Sequence, residues 1–430
     1  MTFAGIRPEQ GPPLSVPVSF FLTAPLSLAA AGVLLLARGA DGLASLSGST
    51  AVALVHLGTV GMLLFVMLGA LYQVLPVVVG AVVPWIRAAH VVHLALLVGF
   101  TSLVYAQARV DGRAFGLAAV LVSSAVALFL VPAGIAVARS EVESATARGI
   151  ALALVGLLAV VVAGVRLASV RAGLAVTDDW QALRAAHAHV GFLGWVGALV
   201  TSVSWQVLPM FYFAAPPPGV VSRVTSIGIA TSLILLAVAL FVTVPVPVAL
   251  LALPGALAVW LVHPLWALAS LRKRKRRRPD ATLSFWWLGL GVAPACLLLG
   301  AQTAWGDDTR GPLLYGLFVL WGWAGAIAHG MLMRIVPVLA WLHWCAPRLG
   351  QAAHVPRAKE LLPDREVQVG LALHVLTLAL GAAAIVTGHA LAWQALGVGL
   401  LATAAALLRS MLAALYRASR EVAPPAGARA

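Results

Sequence analysis

Two histidines stand at the same place in two copies of one sequence pattern, each at the mouth of an apolar run long enough to cross a membrane. His56-Leu-Gly-Thr-Val-Gly61 continues to Gln73-Val-Leu-Pro76, and His189-Val-Gly-Phe-Leu-Gly194 continues to Gln206-Val-Leu-Pro209. Histidine, glutamine and proline keep the same spacing in both, as His56, Gln73 and Pro76 in one copy and His189, Gln206 and Pro209 in the other. Neutral imidazole is the usual axial ligand of heme iron and a common ligand of copper, and helix bundles build such sites from facing helices. His187 lies two residues before His189, which turns it about 200° away around an α-helix. One helix then offers a ligand to each of two flanking sites, but not both to one heme. The expected pair is His56 with His189, and His187 is left for a second site.

A third copy runs from Leu317 through Gly322 and Gly330 to Arg334-Ile-Val-Pro337, with leucine at the histidine position. The first motif position thus recurs at nearly even intervals, from His56 to His189 to Leu317, so the chain reads as one unit written three times. Gly61, Gly194 and Gly322 either allow close helix approach or make room for a flat macrocycle. Pro76, Pro209 and Pro337 kink or end their helices. Trp195, Trp205 and Trp323 read as pocket lining or as interfacial anchors.

The elements that must position these residues are membrane helices. Hydrophobic residues make up 62% of the 430-residue chain and charged ones 10%, with a mean hydropathy of +1.00, a composition soluble chains of this length do not have. Runs of about 20 apolar residues can be placed at 17–37, 51–75, 89–107, 115–138, 148–170, 186–208, 223–244, 247–269, 283–304, 313–340, 368–388 and 391–415. The expected fold is all-α: a single integral membrane domain over 1–430, with three pseudo-equivalent four-helix repeats at about 17–138, 148–269 and 283–415. The motif then falls on the second, sixth and tenth helices. The N-terminal segment carries Arg7, Glu9 and three prolines before its first apolar run, so that run reads as a retained helix and not a cleavable signal.

With a cytoplasmic N-terminus, seven of the 28 Lys and Arg (Arg38, Arg109, Arg113, Arg166, Arg171, Arg184 and Arg310) fall outside, leaving 21 inside. The positive-inside rule then puts both termini in the cytoplasm. The run Arg272-Lys-Arg-Lys-Arg-Arg-Arg278 directly follows an apolar span without interleaved aromatics, so the net charge of +14 reads as a topology signal touching anionic lipid, not as nucleic-acid binding. All 14 acidic residues fall in loops, tails or helix ends, which argues against a proton-coupled carrier or redox proton pump built on intramembrane carboxylates. Two cysteines make no disulfide framework or CxxC motif, and no P-loop, GxSxG or HExxH motif occurs.

Histidine is the main ligating group left inside. His56, His187, His189 and His389 lie toward the outer face and His329 lies deep, whereas His90, His93, His263, His343, His354 and His374 lie on the inner side. Taken singly, His90, His93, His263, His329 and His374 read as helix-to-helix hydrogen-bonding groups, and His343 and His354 as loop residues.

The stretch from His56 through Leu68-Gly-Ala-Leu-Tyr-Gln-Val-Leu-Pro76 resembles helix II of the heme-copper oxidase catalytic subunit (subunit I), and especially of the nitric oxide reductase large subunit. Ala186-His-Ala-His-Val190 is similar to that superfamily's His-x-His pair, in which one histidine serves low-spin heme and the other the active-site heme. Twelve helices in three sets of four also match that fold. The chain departs from the pattern in carrying His-x-His on the sixth helix instead of the tenth, and in lacking the copper-site histidines and the reductase glutamates. His263-Pro264 is followed by leucine and lies on the eighth span. The NnrS-type heme membrane proteins linked to nitric oxide metabolism are the nearer comparison.

This resemblance implies a multi-pass protein of the bacterial cytoplasmic membrane that binds b-type heme through His56 and His189. It implies a second heme or copper site at His187 with His329 or His389, and a cytochrome or other redox partner beside the membrane lipid. The implied activity is electron transfer, or redox handling of nitric oxide or oxygen, by a heme-dependent oxidoreductase without the usual copper-site motifs. The rival readings are an internally repeated secondary transporter and a non-catalytic assembly subunit of a respiratory complex. Transporters place polar sites near the bilayer midplane, whereas the marked histidines here lie near the outer face.

Overall fold

In a computed structural model, which describes residues 11–39, 48–80, 82–140, 144–242, 246–275, 280–303, 310–349 and 355–420, the chain is all-helical with no strand among the described residues. Twelve helices are long and apolar enough to span a membrane: α1 Ser15–Arg38, α2 Ser49–Val77, α3 Ile86–Arg109, α4 Gly112–Ala138, α5 Ala145–Arg171, α6 Trp180–Tyr212, α7 Gly219–Ala239, α8 Leu253–Arg272, α9 Leu283–Gln302, α10 Arg310–Arg348, α11 Asp364–Thr387 and α12 Ala390–Arg420. Each overlaps one of the twelve expected spans.

Short polar residues start several of these helices by satisfying the first backbone N–H groups, which have no partner inside the helix. Asp111 accepts hydrogen bonds from the Arg113 and Ala114 amides at α4, Ser144 from Ala147 at α5, and Asp179 from Ala182 at α6. Each helix packs on its neighbour in the chain, and α1 packs along α12, so the chain closes on itself. The α1–α12 seam brings backbones together at Gly32 and Gly397, where a Cβ on Gly32 would stand 2.7 Å from the Gly397 carbonyl oxygen. Small residues at such a seam let helices approach without side-chain bulk between them.

The motif helices are the interior ones. Over their most apolar windows α2, α6 and α10 are 61%, 78% and 67% buried, against at most 56% for any other helix. Each carries an eight-residue π-helical segment that starts one residue after the first motif position: Leu57–Leu64 after His56, Val190–Gly197 after His189 and Phe318–Gly325 after Leu317. The backbone therefore repeats at the same offsets as the sequence. Such wide turns are rare and cluster at functional sites. The α2 and α10 segments also pack against each other.

Charged pairs close one end of the bundle. Arg334 stands where the other copies have glutamine; its Nη1 donates to Asp280 Oδ2 at 2.8 Å, and its guanidinium lies over the rings of Phe211 and Tyr212. Asp280 Oδ1 also accepts from the Thr282 hydroxyl at 2.6 Å, and Thr282 Oγ1 is 2.9 Å from Tyr212 Oη, which ties α6 to the approach to α9 and to α10. Arg417 Nη2 donates to Glu366 Oε1 at 2.6 Å, fastening α12 to α11. The basic run begins beside this end of the bundle, with Arg276–Arg278 outside the described residues. A Lys275→Cys variant is expected to react with a membrane-impermeant maleimide only after cells are permeabilised; labelling in intact cells would reverse the orientation.

Candidate functional site

A cavity of about 650 Å³ opens beside the N-terminal turns of α6, lined by residues of α2, α3, α4, α5, α6 and α10. That volume lies within the range of sites for small molecules and cofactors. Its wall is mainly apolar and includes Val60, Leu64, Phe115, Leu157, Val160 and Phe192. Three histidines face it: His56, His187 and His189. At the rim stand Arg171, Asp179, Trp180 and Arg184, where the Arg171 guanidinium lies 4.7 Å over the Trp180 ring and Arg184 Nη2 donates to Gln181 Oε1 at 2.6 Å.

The two repeat-related histidines are held alike. His56 Nδ1 is 2.8 Å from the Val52 carbonyl, and His189 Nδ1 is 2.8 Å from the Ala185 carbonyl, each four residues back along its own helix. A carbonyl only accepts, so Nδ1 carries the hydrogen and Nε2 keeps its lone pair. This is the arrangement that fixes a ligating imidazole: one nitrogen anchored to a backbone carbonyl, the other available to a metal.

His187 differs, because its Nδ1 is buried without a hydrogen-bond partner. Buried polar atoms are nearly always paired, and the Val160 backbone of α5 is the one protein group that engages this ring, so a group bound in the cavity would find a nitrogen to meet. Its ring lies beside that of His56, with centroids 6.4 Å apart and planes 22° from parallel. His189 faces α10, where its ring lies 5.9 Å from Tyr315 at 28°. All three histidines therefore border one cavity beside the N-terminal end of α6. The divergence of His187 and His189 around their helix points them at different parts of that cavity, not at two separate ones.

The chain matches no protein-family model and no curated protein. Among the described residues, no three His, Cys, Asp or Glu side chains converge as a ligand set for a metal ion. A bare ion of the zinc type takes about four ligands. Iron in a macrocycle, which brings four nitrogens of its own, asks the protein for fewer.

The remaining histidines are elsewhere. His329 is fully buried against His374 of α11. His389 is exposed between α11 and α12. His93 is 2.9 Å from the Thr23 hydroxyl and packs edge-on against Phe20 and Phe65. His263 pairs with Ser204 at 2.8 Å. His343 lies not in a loop but on the last turns of α10, bonded to the carbonyls of Leu339 and Pro12. His354 lies outside the described residues.

The motif glycines serve packing. A Cβ on Gly61 would strike Ser27, one on Gly194 would strike Leu233, and one on Gly322 would stand 2.8 Å from Val292; none of the three lines the cavity. Trp195 does line it, whereas Trp205 and Trp323 do not. Tyr315 is the site residue that motif reading missed. It stands two positions before Leu317, just as His187 stands two before His189, so it occupies the His187 position in the third copy.

Proposed function

We propose that this chain is a b-type heme protein of the membrane, built as three copies of a four-helix unit (α1–α4, α5–α8 and α9–α12), and that its cavity would take one heme held by His56 and His187. The observation that carries this reading is the orphaned Nδ1 of His187 beside the ring of His56 on the wall of a mainly apolar cavity. The two rings lie side by side, with centroids 6.4 Å apart and planes 22° from parallel, so both would reach one bound group. His189 is the repeat-related alternative to His187, held in the same tautomer as His56. The apolar wall suits the faces of a macrocycle, and the arginine-bearing rim suits its anionic edge.

Bound heme would supply a one-electron couple. His56 and His187 would hold it, and the apolar wall would orient it and exclude water; with both histidines engaged in holding it, electron transfer is favoured over oxygen reduction. A second reading, handling of a diatomic gas such as nitric oxide, has one observation in its favour: the Tyr315 hydroxyl is buried without a partner near His189 and can donate to a small bound ligand.

The purified chain is expected to show a reduced-minus-oxidised spectrum of b-type heme, with a pyridine hemochrome giving about one heme per chain. A colourless preparation from heme-replete cells would overturn the proposal and favour the transporter or assembly-subunit reading.

A further inference from the structure

A second orphaned imidazole lies well away from the cavity, and its surroundings define what it can bind. His329 on α10 and His374 on α11 are both fully buried, with their Nδ1 atoms 3.3 Å apart. His374 Nε2 is 3.0 Å from the Trp321 carbonyl, so that nitrogen must carry the hydrogen and His374 Nδ1 must be an acceptor. His329 Nδ1 therefore donates to it. That leaves His329 Nε2 as a bare lone pair, buried and without a partner.

A Cβ on Gly370 of α11 would stand 3.3 Å from His329 Nε2 and 3.1 Å from Met333 Sδ, closer than side chains normally pack, so the two donors converge on one point beside this glycine. His329 and Met333 are four residues apart and share one face of α10. Phe285 of α9 covers the site, with its ring 4.6 Å from that of His329. The donor set is one imidazole and one thioether, both neutral and with no carboxylate among them. Thioether ligands select soft metals, Cu(I) above all, while imidazole suits copper generally. The Trp321–His374–His329 chain orients the ligand from behind, as outer partners do at metal centres.

The geometry points to a buried Cu(I) site formed by His329 Nε2 and Met333 Sδ where they converge beside Gly370. It lies about 20 Å along α10 from Tyr315, at a rise of about 1.5 Å per residue, and it does not depend on the heme reading.

The test is an anaerobic Cu(I) titration of the full-length protein in detergent against the chromogenic chelator bicinchoninate, with copper per chain measured by elemental analysis. One equivalent per chain is expected for the wild type. Met333→Leu, which keeps the side-chain volume, should weaken binding at least about tenfold, since even loss of an outer partner costs about 10–100-fold. Gly370→Ala keeps both donors but puts a methyl at the point where they converge, and should weaken binding as much. His374→Leu should weaken it about 10–100-fold through loss of orientation. His263→Ala, which removes an orphaned nitrogen on another helix, should leave binding unchanged. Failure of the wild type to hold Cu(I) against the chelator, or wild-type affinity in a monodisperse Met333→Leu variant, would overturn the site.

Discussion

Replacing His56 or His187 by alanine is expected to remove the low-spin heme spectrum, while replacing His93 leaves it intact. The contrast rests on what each ring nitrogen already does. His93 is engaged by Thr23 and boxed by two phenylalanine edges, so its loss costs packing and one hydrogen bond. His56 has one nitrogen on the Val52 carbonyl and the other left over, and His187 has a buried nitrogen with nothing to meet. Because losing an outer-shell partner alone costs about 10–100-fold in affinity, losing a histidine that holds the heme should lower heme content more than about tenfold. His189→Ala is the informative third variant. With His56 and His187 as the pair it should keep heme and only shift the band; with His189 as the ligand, as repeat position alone suggests, it should behave like His56→Ala. Added imidazole should restore the spectrum of His187→Ala by entering the space its ring vacates. A full heme complement in both His56→Ala and His187→Ala would end the proposal.

The difference between His187 and His189 shows what the sequence carries and what it does not. A repeat aligns positions along a chain, so it pairs His56 with His189, and the shared Nδ1 bond to the carbonyl four residues back is the structural echo of that pairing. It does not say which ring comes nearest to His56, because that depends on how α2, α5 and α6 pack. The twelve spans were legible because each needs only a long apolar run. Their ends were less so: α6 begins at Trp180, six residues before the apolar run, because Asp179 caps a first turn that includes the polar Gln181 and Arg184. These residues form part of the cavity rim. The run at 247–269 is likewise broken near Pro254, so α8 starts at Leu253. The His329–His374 pair left no trace in the sequence. Its members are 45 residues apart on different helices and share no motif.

Gly156→Val is expected to cost both stability and heme, and for one reason. Gly156 of α5 packs directly on the backbone of α6 at Gly194: a Cβ there would overlap the Gly194 carbonyl and stand 2.8 Å from the Trp195 amide nitrogen. Backbone atoms inside a helix cannot rotate aside, so the two helices would have to part. Overpacking of this kind costs about 1–3 kcal/mol, occasionally more, and here it acts on the seam that holds α6. That helix carries both His187 and His189, while α5 supplies Val160 and Gly164 to the facing wall of the cavity. Gly164→Ala should act more gently, since its Cβ would meet only the His187 ring at 3.3 Å; a shifted spectrum with unchanged melting is expected. Gly134→Ala on α4, with nothing within 4 Å, should be neutral or slightly stabilising, because alanine is favoured over glycine in a helix by about 0.5–1 kcal/mol. Melting curves and heme-to-protein ratios on the three variants would check this order. Wild-type values for Gly156→Val would mean that α5 and α6 do not meet at Gly194, and the cavity wall built on that seam would have to be redrawn.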